Sequence, residues 1–70
     1  MDIKNKDSLR KEIPPGTKVK LIKFNPSEPA VPPGTIGTVV TIDDACQIHV
    51  RWETGSALAI IPEVDEFEII

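Results

Sequence analysis

Five short runs of alternating or apolar residues lie between positions 18 and 70. They are separated by a long proline-rich loop after the first run and by Gly-containing tight turns, with a proline-led turn ahead of the last. These three observations predict an all-β chain, an SH3-like small five-stranded antiparallel barrel with a short N-terminal tail or helical turn and a 3-10 turn before the last strand. Residues 1–12 form the basic tail or short helix, and 13–70 the barrel. The stretch GTVVTIDDACQIHVRWETGSALAII, from Gly37 to Ile61, carries three of the five strands and the single Trp, His and Cys.

The elements follow in chain order. In residues 1–12, Asp7 or Ser8 is a natural N-cap for one helical turn over residues 8–12, and residues 1–6 read as a frayed tail. So short a helix is marginal in water unless Leu9 docks. Ile13-Pro14-Pro15-Gly16-Thr17 recurs eighteen residues later as Val31-Pro32-Pro33-Gly34-Thr35. Each copy sets Pro and Gly at the second and third positions of a type II turn, so each reads as a strand entry. The echo is too short for a repeat architecture.

In strand one, residues 18–24, Val19 and Leu21 face inward and Lys18, Lys20 and Ile22 outward. Residues 25–33 hold four of the seven prolines and form a stiff loop. Strand two, Ile36–Ile42, breaks the period of two, and Gly37 inside it predicts a bulge or bend. Asp43 and Asp44 open a turn. Strand three, residues 47–53, alternates Ile48, Val50 and Trp52 inward with His49, Arg51 and Glu53 outward. Gly55 supplies the positive φ of the next hairpin. Strand four, residues 56–61, directs Leu58 and Ile60 inward and Ala57, Ala59 and Ile61 outward. Pro62 ends it, and Phe67 and Ile69 make a fifth strand flanked by Glu66 and Glu68.

Seventy residues make one small domain, which buries only about 60% of the surface its unfolded chain exposes. Chains this short commonly need a disulfide, a metal or a partner. One Cys makes no internal disulfide, and Cys46 with His49 falls two ligands short of a tetrahedral metal site, so neither metal nor cofactor is expected. Self-association, most simply a homodimer, is expected instead. No apolar run of about 18 residues or secretory leader is seen, so no membrane role is expected and a cytoplasmic address is the default.

The net charge of −3 divides unevenly. Residues 1–24 carry +4, from Lys4, Lys6, Arg10, Lys11, Lys18, Lys20 and Lys23 against three acids, while residues 25–70 carry −7. Either the halves lie side by side and neutralise, or the basic half is a face for an anionic partner. Nucleic-acid binding would rest on that face alone. With three aromatic residues and no Tyr, it is not the favoured reading.

Catalysis is not expected. Cys46 and His49 could form a thiolate–imidazole pair, but no oxyanion hole or third orienting group is recognisable. His49, Arg51 and Glu53 are either a solvated stripe or a small site for phosphate, nucleotide or carboxylate. Outward apolar Ile22, Ala57, Ala59, Ile61 and Ile70 suggest a covered, protein-binding surface.

The segments IPPGTKV, PPGTIGTV, DD, QIHVRW, GSxLAxIP and VDxF, in a match that covers residues 13–70, resemble an uncharacterised domain-of-unknown-function family found in phages and integrative mobile elements of Gram-positive bacteria. The family has no assigned activity, so the resemblance implies a genomic setting and no mechanism. One departure is Cys46, where members often carry Gly. If that position takes positive φ, Cys46 bears about 1 kcal/mol of strain. The expected function is a non-enzymatic interaction module of a mobile element that binds a host or element protein, as an inhibitor of host defence. The alternatives are an oligomeric binder sequestering a nucleotide-like anion and an accessory nucleic-acid-binding protein.

Overall fold

The computed structural model describes residues 6–70. A helix, α1 (Lys6–Glu12), precedes five strands: β1 (Lys18–Lys23), β2 (Ile36–Ile42), β3 (Ile48–Trp52), β4 (Ala59–Ile60) and β5 (Glu66–Ile69). All neighbouring strands are antiparallel, in the order β4-β3-β2-β1-β5. The expected five antiparallel strands are therefore present, but the sheet does not close, because β4 and β5 share no ladder among the described residues.

The helix begins earlier than its capping residues suggest. Lys6 is its first residue, so Asp7 lies inside the first turn, where its charge suits the helix dipole. Leu9 and Ile13 are buried against the sheet, and the Ile13 N–H donates to Leu9 O at 2.8 Å. This docking sustains a helix too short to persist alone.

The PPGT echo is more than one turn used twice. Gly16 and Gly34 both have φ of 93°, and Thr17 and Thr35 each donate a hydroxyl to the proline three residues back, at 2.6 Å. The Gly16 N–H donates to Val39 O and the Val39 N–H to Thr17 O, both at 2.8 Å. In the second copy the Gly34 N–H donates to Leu21 O at 2.7 Å and the Leu21 N–H to Thr35 O at 2.9 Å. The two turn–strand units thus obey a local two-fold relation centred on the Val19–Gly37 pair. Buried Ile13 and Val31 occupy equivalent places ahead of the turns.

The bulge in β2 is at Val40, between the Val39–Val50 and Thr41–His49 pairs. Gly37 is not the bulge, as its sequence position suggested, but a buried residue facing Trp52 across the ladder. A second irregularity at Ile22 separates the β1–β5 pairs Leu21–Phe67 and Lys23–Glu66. Strand four is shorter than expected. Only Ala59 and Ile60 pair with β3; nearer the turn the Trp52 N–H donates to Ser56 O and the Trp52 Nε1–H to Leu58 O, both at 2.9 Å.

The core gathers the inward faces of β1 to β4, with Val19, Leu21, Val39, Ile48, Val50, Trp52 and Ile60 at 2% exposure or less, and Phe67 of β5 packs against it partly buried. Phe24 meets Trp52 edge to face, ring centroids 5.9 Å apart. The Asn25–Pro26 peptide is cis. The loop that follows is tied down where Thr54 Oγ1–H donates to Ala30 O at 2.9 Å. Ahead of β5, a turn over residues 62–64 is closed by Val64 and Asp65 N–H groups donating to Ile61 O. Asp65 is the buried charged residue of the described chain. Its Oδ1 accepts from the Asn25 N–H at 2.9 Å and its Oδ2 from the Ile61 N–H at 2.8 Å. One carboxylate thereby links the end of β1, the end of β4 and the entry to β5, where strand pairing does not.

Candidate functional site

Alternation in β3 turns His49 and Arg51 outward while Ile48, Val50 and Trp52 enter the core. His49 stands opposite Thr41 of β2 and Ala59 of β4, and Arg51 opposite Thr38. His49 and Arg51 line an open depression of about 340 Å³ together with Val40, Thr41 and Ala57. Val40 is half exposed there because the bulge displaces it from the ladder. The outcome is a cationic and hydroxyl-bearing wall beside an apolar one. Ala57, expected on an interaction surface, and His49 and Arg51, expected to bind a ligand, share one concavity. Glu53 does not line it; that residue lies exposed at the start of the β3–β4 turn, its N–H donating to Ile36 O at 2.9 Å.

His49 has a partner that sequence spacing did not suggest. Its Nε2 lies 2.8 Å from Asp43 Oδ2, while Asp43 Oδ1 accepts the N–H groups of Ala45 and Gln47, both at 2.9 Å. The hydrogen bond from His49, followed by that from Gln47, holds the Asp43 carboxyl below its ordinary value of 3.8. Asp43 therefore both shapes the 43–47 turn and orients the imidazole. The same turn places Cys46 at φ 63°, the left-handed conformation for which Gly is the usual choice. Cys46 is half-buried against the core, and among the described residues no group of three or more His, Cys, Asp or Glu could hold a metal ion.

The remaining apolar surface does not form one stripe. Ala59 and Ile61 line a second, separate cleft with Phe24 and Asp65. Ile22 is exposed at the β1 irregularity, and Ile70 is exposed beyond β5.

The basic residues are dispersed in the same way. Arg10 donates through Nε and Nη2 to Ile42 O, at 3.1 and 2.7 Å, and approaches Asp44 at 3.6 Å. Lys20 is 4.0 Å from Glu68, and Lys23 faces Glu66 in register, so the basic strand lies beside the acidic one. The Lys18 Nζ–H donates to Thr38 Oγ1 at 2.7 Å, which puts Lys18 and Arg51 on either side of Thr38 on the outer face. Lys11 is exposed on α1. Lys4 and the side chain of Lys6 lie outside the described residues.

No helix among the described residues is long and apolar enough to cross a membrane. No curated protein and no solved structure matches the chain. The family described as a domain of unknown function, DUF4314, matches residues 3–70, from ahead of α1 to the end of the sequence. With nearly its whole length matched, the chain belongs to the DUF4314 family.

Proposed function

We propose that this chain is a non-enzymatic, SH3-like interaction module of a phage or integrative mobile element, and that it binds a host protein as an inhibitor of host defence. The observation that carries the binding reading is the depression in which His49, Arg51 and Thr41 stand beside Val40 and Ala57. A guanidinium next to exposed apolar surface suits a protein segment presenting a carboxylate beside an apolar side chain. The barrel-like strand order and the turn ahead of β5 support the SH3-like assignment, and the sequence pattern supports the mobile-element setting. The open edges at β4 and β5 suit a homo-oligomer, which sedimentation at micromolar concentration tests.

A photo-crosslinking residue placed at Ala57 in host cells is the direct test. The expected result is one discrete protein adduct, lost when Arg51→Ala and His49→Ala are added. No adduct, or one indifferent to both substitutions, rejects the reading.

A second reading rests on the row Lys18–Thr38–Arg51. Two cations flanking a hydroxyl suit a phosphate, so the face would sequester a nucleotide. Thermal-shift screening separates the two, because a ligand at 100 times its dissociation constant stabilises by about 2.7 kcal/mol.

A further inference from the structure

Between β4, the loop after β1 and the turn ahead of β5 lies an open cleft of about 160 Å³. Phe24, Pro26, Leu58 and Ile61 make its walls apolar. Two carboxylates also line it, Glu28 at the exposed rim and Asp65, which is only 8% exposed.

Among the described residues Asp65 is bound by neutral donors alone. Each of its oxygens accepts one backbone N–H, from Asn25 and from Ile61, and a carboxylate has about four lone-pair sites, so each oxygen keeps one. Among the described residues no lysine, arginine or histidine pairs with Asp65 or Glu28. A largely dehydrated negative charge without a counter-charge is costly, and a cation placed beside it relieves that cost.

We propose that this cleft binds a lysine or arginine side chain of a partner protein. Its methylene stem lies along Phe24, Leu58 and Ile61 and its cationic head reaches Asp65 and Glu28. The occupant follows from the mixture of surfaces. A bare metal ion would need more oxygen ligands and would waste the apolar walls, an anion would be repelled, and a purely apolar side chain would leave Asp65 without a counter-charge. Long basic side chains carry both required parts. The inference goes beyond the His49–Arg51 depression and does not depend on it, since its test uses the isolated chain and small probes.

The test is titration of the ¹⁵N-labelled chain with Nα-acetyl-lysine methylamide, its arginine counterpart and its norleucine counterpart. The amide resonances of Asn25 and Ile61, whose N–H groups meet Asp65, are expected to shift saturably with either basic probe. Norleucine is expected to bind about tenfold more weakly. Glu28→Gln, at the exposed rim, should weaken the basic probes several-fold while leaving the folded spectrum intact. Equal binding of norleucine, shifts that bypass Asn25 and Ile61, or no shift with either basic probe would overturn the proposal.

Discussion

Gly37 lies directly against the indole of Trp52, its register partner across β2 and β3. A Cβ at position 37 would stand 2.7 Å from Trp52 Cε3 and 3.1 Å from Cδ2, and closer still to Val50 Cγ1. Both neighbours are buried core residues at 2% exposure or less, with no solvent side to move toward. Gly37→Ala is therefore expected to destabilise the fold by about 1–3 kcal/mol through overpacking. A lowered urea midpoint with an unchanged slope checks it.

Asp65 satisfies two backbone donors that no strand pairing reaches. Asp65→Ala leaves the N–H groups of Asn25 and Ile61 without their acceptor, at about 1–3 kcal/mol for each donor that water does not reclaim. The loss is large for a domain of this size, whose total stability is on the order of 4–10 kcal/mol. Faster amide exchange at Asn25 and Ile61, just beyond β1 and β4, than within those strands is the expected signature.

Asp43 titrates below its ordinary value of 3.8 because His49, then Gln47, hydrogen-bond to the charged carboxylate. A carboxyl whose folded pKa is depressed contributes stability above its unfolded value and loses it as pH falls through the folded one. Stability is thus expected to fall below about pH 4, with a shallower decline in Asp43→Asn. Acid unfolding curves of the two proteins that superimpose would contradict the role given to Asp43.

At position 46 the backbone conformation and the side chain work against each other. A φ of 63° disfavours any residue with a Cβ, yet the Cys46 side chain packs on the core. Cys46→Gly and Cys46→Ala both lose that packing, and only Gly relieves the strain. Glycine is expected to be the more stable of the pair by about 0.5–1 kcal/mol, after allowing for its greater freedom in the unfolded chain. Thermal melts of the two variants measure the difference.

Local chemistry made much of this fold legible. Gly16, Gly34 and Gly55 all take the positive φ that their turns require, and the alternation of β3 assigned Ile48, Val50 and Trp52 to the core. The relationships that escaped are those between residues distant in sequence. Nothing near Asp65 announces that its acceptors serve Asn25, forty positions away. From the sequence Gly37 suggests a bulge or bend, since a glycine in a strand signals backbone freedom as readily as a close approach, and only the position of Trp52 decides between them. At the candidate site, the outward direction of His49 and Arg51 followed from period two, whereas their meeting with Ala57 depends on how the β3–β4 hairpin folds back.

The duplicated PPGT turns also separate what must stay fixed from what can vary. Every bond of the two-fold seam lies within or between residues 14–21 and 32–39, and none involves Pro26 or Ser27. A few residues inserted at Ser27 should leave both seams closed, since lengthening a surface loop costs little. The same insertion would reshape the rim that carries Pro26 and Glu28. The loop can therefore diversify while the scaffold beneath it is inherited unchanged.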